Sequence, residues 1–317
     1  MKSKVYLKRI AKTDTKEVTA LNLKRAFIAA GLDKIIEKND FVGIKMTFGE
    51  EDNKGYINPV FVKGIVECIK QADGKPFIVE TNTLYKGQRS NSVDHLNLAL
   101  KHGFNPQYIG APIIIGDGLL GHEQFELEIN KKYFKAVRLA AFLKDTDCII
   151  SLSHVTGHML SGFAGSLKNI GMGLASRAGK LNQHSNVMPE VKPNKCNRCA
   201  VCLKGCPVKA IVINKENKAF ILKELCIGCG SCTALCRFDA IEISWSSTSR
   251  ELQEKMVEYA FGAIKDRISK TGYVNFLTHF TKDCDCLSKD STPIIDDIGM
   301  LASLDTVAID KASVELI

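Results

Sequence analysis

The sequence predicts an α/β protein: a largely parallel sheet flanked by helices, with a small α+β module inserted into it. Three observations carry this expectation. Strand-length apolar runs alternate with helix-length amphipathic segments over the first half of the chain, and strands connected in that way must run parallel. The same alternation resumes after Trp245. Between the two lies a cysteine-rich stretch of different composition, entered through the proline-marked segment Val187-Met-Pro-Glu-Val-Lys-Pro, which reads as a linker. The expected division is therefore 1–187, an insert over 188–245, and 246–317 completing the sheet, since seventy residues are few for a core of their own.

The elements follow in order. Val5 to Ile10 reads as a strand and Val18 to Ile36 as a helix with Leu21, Leu23, Phe27, Ile28 and Leu32 among its apolar positions. Phe41 to Met46 is apolar enough for a strand buried on both faces. Asn58-Pro59 opens a helix through Gln71, with proline in the first turn. Pro76 to Glu80 is a strand, and Val93 to His102 a helix closed by Gly103. Strands are expected at Pro112–Gly116, Phe125–Ile129, Ala136–Leu139 and Cys148–Leu152, with a short helix near Ala140 to Lys144. After the insert come a helix over Glu251–Ile268, strands at Tyr273–Leu277 and near Ile294 and Ile295, and a closing segment from Ser303 that includes a helix.

Eight of the twelve cysteines fall in two runs of identical spacing: Cys196, Cys199, Cys202 and Cys206, then Cys226, Cys229, Cys232 and Cys236. Ala210, Ile211 and Ile213 recur thirty positions later as Ala240, Ile241 and Ile243, so the repeat covers a loop together with the strand after it. Three thiolates at i, i+3 and i+6 wrap three corners of an iron–sulfur cubane, and the fourth reaches the neighbouring cluster. One 4Fe-4S cluster is expected on Cys196, Cys199, Cys202 and Cys236, and a second on Cys226, Cys229, Cys232 and Cys206. Gly205, Gly228 and Gly230 stand where such loops need positive φ and close approach. Structural zinc would leave the third and fourth cysteines of each run without a role, and a disulfide framework belongs to short secreted chains. The run resembles the bacterial two-cluster ferredoxin module at all eight ligand positions, with Arg237 where the second run would have proline.

The formal charge is +8. Two clusters at about −2 each would reduce it to roughly +4. Nine lysines or arginines against four acids between Glu190 and Ala240 then read as counter-charge, and a nucleic-acid face with interleaved aromatics is not expected. No apolar run approaches the roughly 18 residues of a membrane span, and the first residues lack a secretory pattern, so the expected place is the cytoplasm.

Ligands of parallel α/β sheets gather at the carboxyl ends of the strands. Glu80, Thr81 and Asn82 are placed there as cofactor- or substrate-facing candidates. The stretch His154 to Lys180 carries many glycines and is expected as a loop approaching something closely; it fails as a Walker A or GxGxxG motif. His154 and His158 are catalytic candidates that could equally hold structural hydrogen bonds. Lys168 is a candidate catalytic lysine or anion binder, and Gly162 and Gly165 are candidate cofactor contacts. Cys284 and Cys286, beside Asp283 and Asp285, could ligate a further metal; at two positions' separation they are expected not to pair easily with each other. Cys68 and Cys148 read as core residues.

TNTLY from Thr81, GAPIIIGDG from Gly110, SHVTGH from Ser153, GFAGSLKNIGMG from Gly162, CIGCGSC from Cys226, CDC from Cys284 and the Asp296–Asp310 tail together resemble the iron–sulfur proteins of domain-of-unknown-function family 362. The resemblance covers essentially the whole chain and implies two 4Fe-4S clusters and an α/β domain. A shorter string, His158, Gly162, Phe163, Gly165 and Lys168, is similar to the glycine-rich loop of nickel-pincer lactate racemases, with Ser166 where a second glycine is usual. That likeness implies His158 near a metal or as a proton-transfer base, and Lys168 as the carrier of a covalently attached cofactor. The leading functional expectation is an oxidoreductase whose clusters exchange electrons with a small-molecule site. Its alternatives are a ferredoxin-like carrier docking a redox partner protein, and a non-redox enzyme with structural clusters.

Overall fold

The computed structural model of the chain describes residues 3–85, 87–184, 188–243, 247–286 and 290–317. Seven strands form the main sheet: β1 (Tyr6–Arg9), β2 (Phe41–Lys45), β3 (Lys75–Glu80), β4 (Ile113–Ile115), β5 (Cys148–His154), β6 (Thr271–Leu277) and β7 (Gly299–Ser303). Their spatial order is β1-β7-β6-β5-β2-β3-β4. From β6 to β4 the neighbours run parallel, and β7 and β1 add an antiparallel edge. The fold is the expected α/β type, and strands from either side of the cysteine stretch pair directly, β5 with β6. The expected insert borders at Val187 and Trp245 lie outside the described residues.

Every residue of β5 is buried, as a central parallel strand covered on both faces requires. Its side chains alternate: Ile149 joins one apolar cluster, and Ile150 and Leu152 join the opposite one. On one face lie the helices Lys16–Ala29 and Pro59–Gln71, packing Leu23, Phe27, Val62 and Ile65 against Val42, Ile44 and Ile78. On the other lies Ser249–Ile264, packing Tyr259 and Ala263 with Ile170 and Ile309. That helix opens with a capping box between Thr248 and Glu251, which satisfies two otherwise orphaned N–H groups.

Several expectations are corrected. The first helix stops at Ala29 because Gly31 turns the chain with φ +75°. Gln124–Glu128 and Ala136–Ala140 form a hairpin apart from the main sheet. Ile294 and Ile295 lie in no strand; the strand of this region is Gly299–Ser303, paired between β1 and β6, whose short run GMLAS gives little periodic signal. The stretch from His154 to Lys180 is not one loop. It folds as a hairpin, Thr156–His158 with Gly162–Ala164, followed by helices Ser166–Gly171 and Arg177–His184. Its glycines admit the protein's own backbone: a Cβ on Gly157, Gly171 or Gly179 would collide with the carbonyl of Lys282, Met256 or Arg138. Among the described residues no helix is long and apolar enough to cross a membrane.

Gly171→Val, which forces apart the helices Ser166–Gly171 and Ser249–Ile264, is expected to lower the unfolding free energy by about 1–3 kcal/mol in denaturant titration. Gly64→Ala, where an added Cβ meets only ordinary contacts, is expected to be neutral or to stabilise by up to about 1 kcal/mol.

Candidate functional site

The strand order reverses at β2: the chain runs outward through β3 and β4, then returns to place β5 on the other side. A crevice must open at the carboxyl ends where neighbouring connections diverge. A cavity of about 820 Å³ lies there, walled by Lys45, Glu80, His154, Lys168 and the Asp283–Cys286 segment among others.

Its charges come in a linked set. Lys45, the last residue of β2, is buried in an otherwise apolar strand and places Nζ 2.8 Å from Glu80. It also donates to Met46 O at 2.7 Å and Asn169 Oδ1 at 3.0 Å. Burial pushes its pKa down, and the Glu80 carboxylate works against that. Arg89 lies 3.2 Å from Glu50 and 3.7 Å from Glu80. Lys180 donates to Thr81 Oγ1 and to Ala175 O; burial lowers it to about 8. None of Lys45, Arg89 and Lys180 was singled out from sequence, although a lysine inside a buried strand is itself a signal.

The two histidines have different fates. His154 Nδ1 faces Asp285 Oδ2 at 2.8 Å and Nε2 faces Thr278 O at 2.7 Å. Both partners are acceptors, so both ring nitrogens carry protons and the ring is an imidazolium. Burial opposes that charge, but Asp285 outweighs it and raises the His154 pKa; Asp285 is lowered in turn, against its own burial. His154 thus has no lone pair to act as a base, and it anchors the Asp285 loop. His158 Nδ1 instead accepts from the N–H groups of Leu160 and Ser161, at 3.2 and 3.0 Å. The proton of the neutral ring therefore sits on Nε2, and burial followed by the Lys168 charge lowers its pKa to about 3.

Lys168 Nζ lies 3.3 Å from Cys286 Sγ, and burial lowers it to about 8. A ring nitrogen of His158 and the sulfurs of Cys284 and Cys286 lie within 4.8 Å of one another. The expectation that the two cysteines would not pair is corrected: they form a disulfide, their Cα atoms 5.3 Å apart, a separation that a disulfide accommodates.

The remaining candidates divide. Glu80, Thr81 and Gly165 belong to the cavity wall. Gly165 is backed by Asp310, whose carboxylate accepts from Ser166 N and Leu167 N at 2.7 and 2.9 Å and so fixes the turn carrying Lys168. Asn82 is not in the wall: it is fully buried, donating through N and Nδ2 to Asp117 Oδ1, each at 2.9 Å. Gly162 is exposed at the hairpin, φ +71°, with nothing within 4 Å of its Cβ position.

In the cysteine module the sequence repeat is a repeat of conformation. Arg198 and Ala200 are left-handed, as are Gly228 and Gly230 thirty positions on; Lys209 and Asp239 match likewise. Ala210 N donates to Cys206 Sγ at 3.2 Å and Ala240 N to Cys236 Sγ at 3.3 Å, so Arg237 forms the turn without proline. Gly205 is not left-handed; a Cβ there would collide with Leu235. One hollow is lined by Cys196, Cys199, Cys202 and Cys236, the other by Cys206, Cys226, Cys229 and Cys232. Each presents four thiols, several pushed up in pKa by burial. Such a donor set fits a cationic iron–sulfur core, which would supply the charge that makes buried thiolates tolerable.

The second hollow abuts the cavity. A Cβ on Gly230 would stand 2.7 Å from Leu84 Cδ1 and 3.5 Å from Arg177 Cγ. Leu84 is also cavity wall. Arg177, wholly buried, is held by Thr83 O at 2.9 and 3.1 Å, and His122 contacts Ser231 Oγ.

The family model "Domain of unknown function (DUF362)" matches residues 42–315. The chain belongs to the DUF362 family. This DUF362 protein is 47% identical over 58 residues to ABC transporter E family member 1 of Arabidopsis thaliana, a match covering 16% of the chain and 9% of that protein. It is 40% identical over 77 residues to hydrogenase-4 component A of Escherichia coli, covering 23% and 36%. The chain thus spans well under half the length of either relative. Among solved structures it is similar to the lactate racemase apoprotein of Thermoanaerobacterium thermosaccharolyticum, with a TM-score of 0.48 and 13% identity over 93% of this chain and 55% of that one.

The His154–Asp285 pair sets a pH dependence. The raised histidine contributes stability present below about pH 6.5 and lost as pH rises through its elevated pKa. The depressed aspartate contributes stability present above about pH 3.9 and lost as pH falls through its lowered one. Asp285→Asn is expected to cost about 3–5 kcal/mol near pH 6. In denaturant titrations against wild type, that difference should shrink as pH climbs beyond the ordinary histidine range.

Proposed function

We propose that this DUF362 protein carries two 4Fe-4S clusters, on Cys196, Cys199, Cys202 and Cys236 and on Cys226, Cys229, Cys232 and Cys206. In this reading it is an oxidoreductase passing electrons between them and a small anionic molecule in the cavity. The observation that carries the reading is Leu84, whose side chain borders both the second four-thiol hollow and the cavity. Segments 1–187 and 246–317 would form the substrate domain and 188–245 the electron-transfer insert; the β5–β6 pairing and the insert's own apolar cluster favour that division. Shared sequence with a hydrogenase component favours redox chemistry.

When bound, the clusters supply one-electron transfer. The chain's own residues do the rest. Lys168 and Lys180 offer cationic donors to an acid group at the cavity wall, as charge-assisted hydrogen bonds. His158, neutral across physiological pH, donates Nε2–H and neither gains nor loses a proton. Lys168, near pKa 8, can give or take one at Nζ. Cys199 is exposed, which favours entry of electrons from a redox partner protein at the first hollow.

Anaerobic preparations should contain about eight iron atoms per chain, and Cys232→Ser about half of them. Reoxidation of the reduced protein by small carboxylate or phosphate acceptors should slow at least about tenfold in His158→Ala and Lys168→Ala, with iron retained. Equal rates in all three proteins would remove the cavity from the electron path.

A further inference from the structure

Outside the four-thiol hollows, the described residues hold one more sulfur pair facing solvent space: Cys284 and Cys286, both in the cavity wall. Their disposition is built. Asp285 between them turns away to the buried pair with His154, 2.8 Å, and its carbonyl accepts from Arg89 at 3.4 Å. The intervening residue is thereby fixed, and both sulfurs are left on the cavity side. Cys284 is buried, whereas Cys286 is partly exposed and meets Lys168 Nζ at 3.3 Å.

We propose that Cys284 and Cys286 are a redox-active dithiol–disulfide couple whose substrate is a small disulfide bearing acid groups. Reduction breaks the Cys284–Cys286 bond and consumes two electrons and two protons, giving two thiols. The electrons come singly from the two clusters, and this clause rests on the function proposed above; an added dithiol supplies the same two electrons. Lys168 protonates Cys286 or holds it as a thiolate, and solvent supplies the other proton. In the return half, the Cys286 thiolate attacks one sulfur of the bound disulfide and expels a thiolate. Cys284, deprotonated, then attacks Cys286, re-forming the internal disulfide and releasing the second thiol. Two protons leave the couple and two thiols leave the site, so atoms and electrons balance.

Carboxylates line the cavity too, and Lys45 and Arg89 are paired with Glu80 and Glu50; Lys168 and Lys180, with no carboxylate at ion-pair distance among the described residues, are the lining cations left to select the acid groups. An ammonium beside Cys286 also favours its thiolate, which makes it the attacking sulfur. The same sulfurs with His158 have the spacing of a soft-metal site. His158 opposes that use, because its Nδ1 is occupied by two N–H donors and its Nε2 carries the proton, leaving no lone pair for a metal.

The test uses the full holoprotein under anaerobic conditions. Without reductant, Cys284 and Cys286 should resist alkylation by iodoacetamide; after treatment with dithiothreitol, peptide mapping should find both modified. Alkylation before reduction, or about one bound zinc per chain protecting both sulfurs, would overturn the couple. In reductive titration, wild type should take up two electrons more than Cys286→Ser or Cys284→Ser with iron content and cluster spectra unchanged; equal uptake would overturn it too. If iron is absent but dithiothreitol still opens the pair reversibly, the cluster reading fails and the couple stands. Dithiodipropionate should reoxidise the dithiol at least tenfold faster than neutral hydroxyethyl disulfide, and Lys168→Gln should slow alkylation of Cys286 at neutral pH about tenfold. Equal rates with the two disulfides would overturn the substrate class, and unchanged alkylation in Lys168→Gln the role of Lys168.

Discussion

Several cationic groups cannot be buried around one cavity unless their charges are met, and this condition organises the centre of the molecule. Lys45 is met by Glu80, Arg89 by Glu50 and Glu80, and the imidazolium of His154 by Asp285. The partners come from different strand ends and loops. Each pair therefore also holds two parts of the chain in register. Removing one member would leave the other charge buried without compensation, which is far costlier than losing the attraction itself. Lys168 and Lys180 are the exceptions, with no carboxylate at ion-pair distance among the described residues; burial lowers each to about 8, and they are the groups left able to respond to a ligand.

The crevice makes such an assembly possible. Parallel strands leave their carboxyl ends exposed to the connections above them, and at β2 those connections part. Lys45 and Glu80 end neighbouring strands, His154 ends the next, and the segment after β6 brings Asp285 across. On the far side of the same wall, Thr83 and Leu84 hold Arg177 and meet the loop of Gly230. A single polypeptide turn after β3 thus touches both the cavity and the second cysteine hollow.

Much of this was legible in the sequence, for identifiable reasons. The parallel sheet follows from apolar runs such as Phe41–Met46, and the cysteine module from a repeat so regular that even its left-handed positions recur. Glu80 and Thr81 followed from strand-end logic. Asn82 did not reach the cavity because its backbone N–H and side-chain amide are taken up by buried hydrogen bonds to Asp117 Oδ1 and Gly118 O. The glycines between His154 and Lys180 suggested a ligand loop, but backbone crossing on backbone uses glycine for the same steric reason. His154 and His158 look alike as letters, and only their partners, two acceptors for one and two donors for the other, separate a charged anchor from a neutral hydrogen-bond donor. The Cys284–Cys286 bond was misjudged because a turn, not an extended segment, brings the two together.

Asp310 caps a turn that begins 144 positions earlier, at Ser166. A chain synthesised from its amino end exposes the cysteine module well before the helix that carries Asp310. The module, with its own apolar cluster, can close on metal while the cavity is still an open half-sheet. Lys168 acquires its fixed position last, when the closing helix docks. The order of emergence thereby leaves the cavity unfinished, beside an already closed cysteine module, until the whole chain is in place.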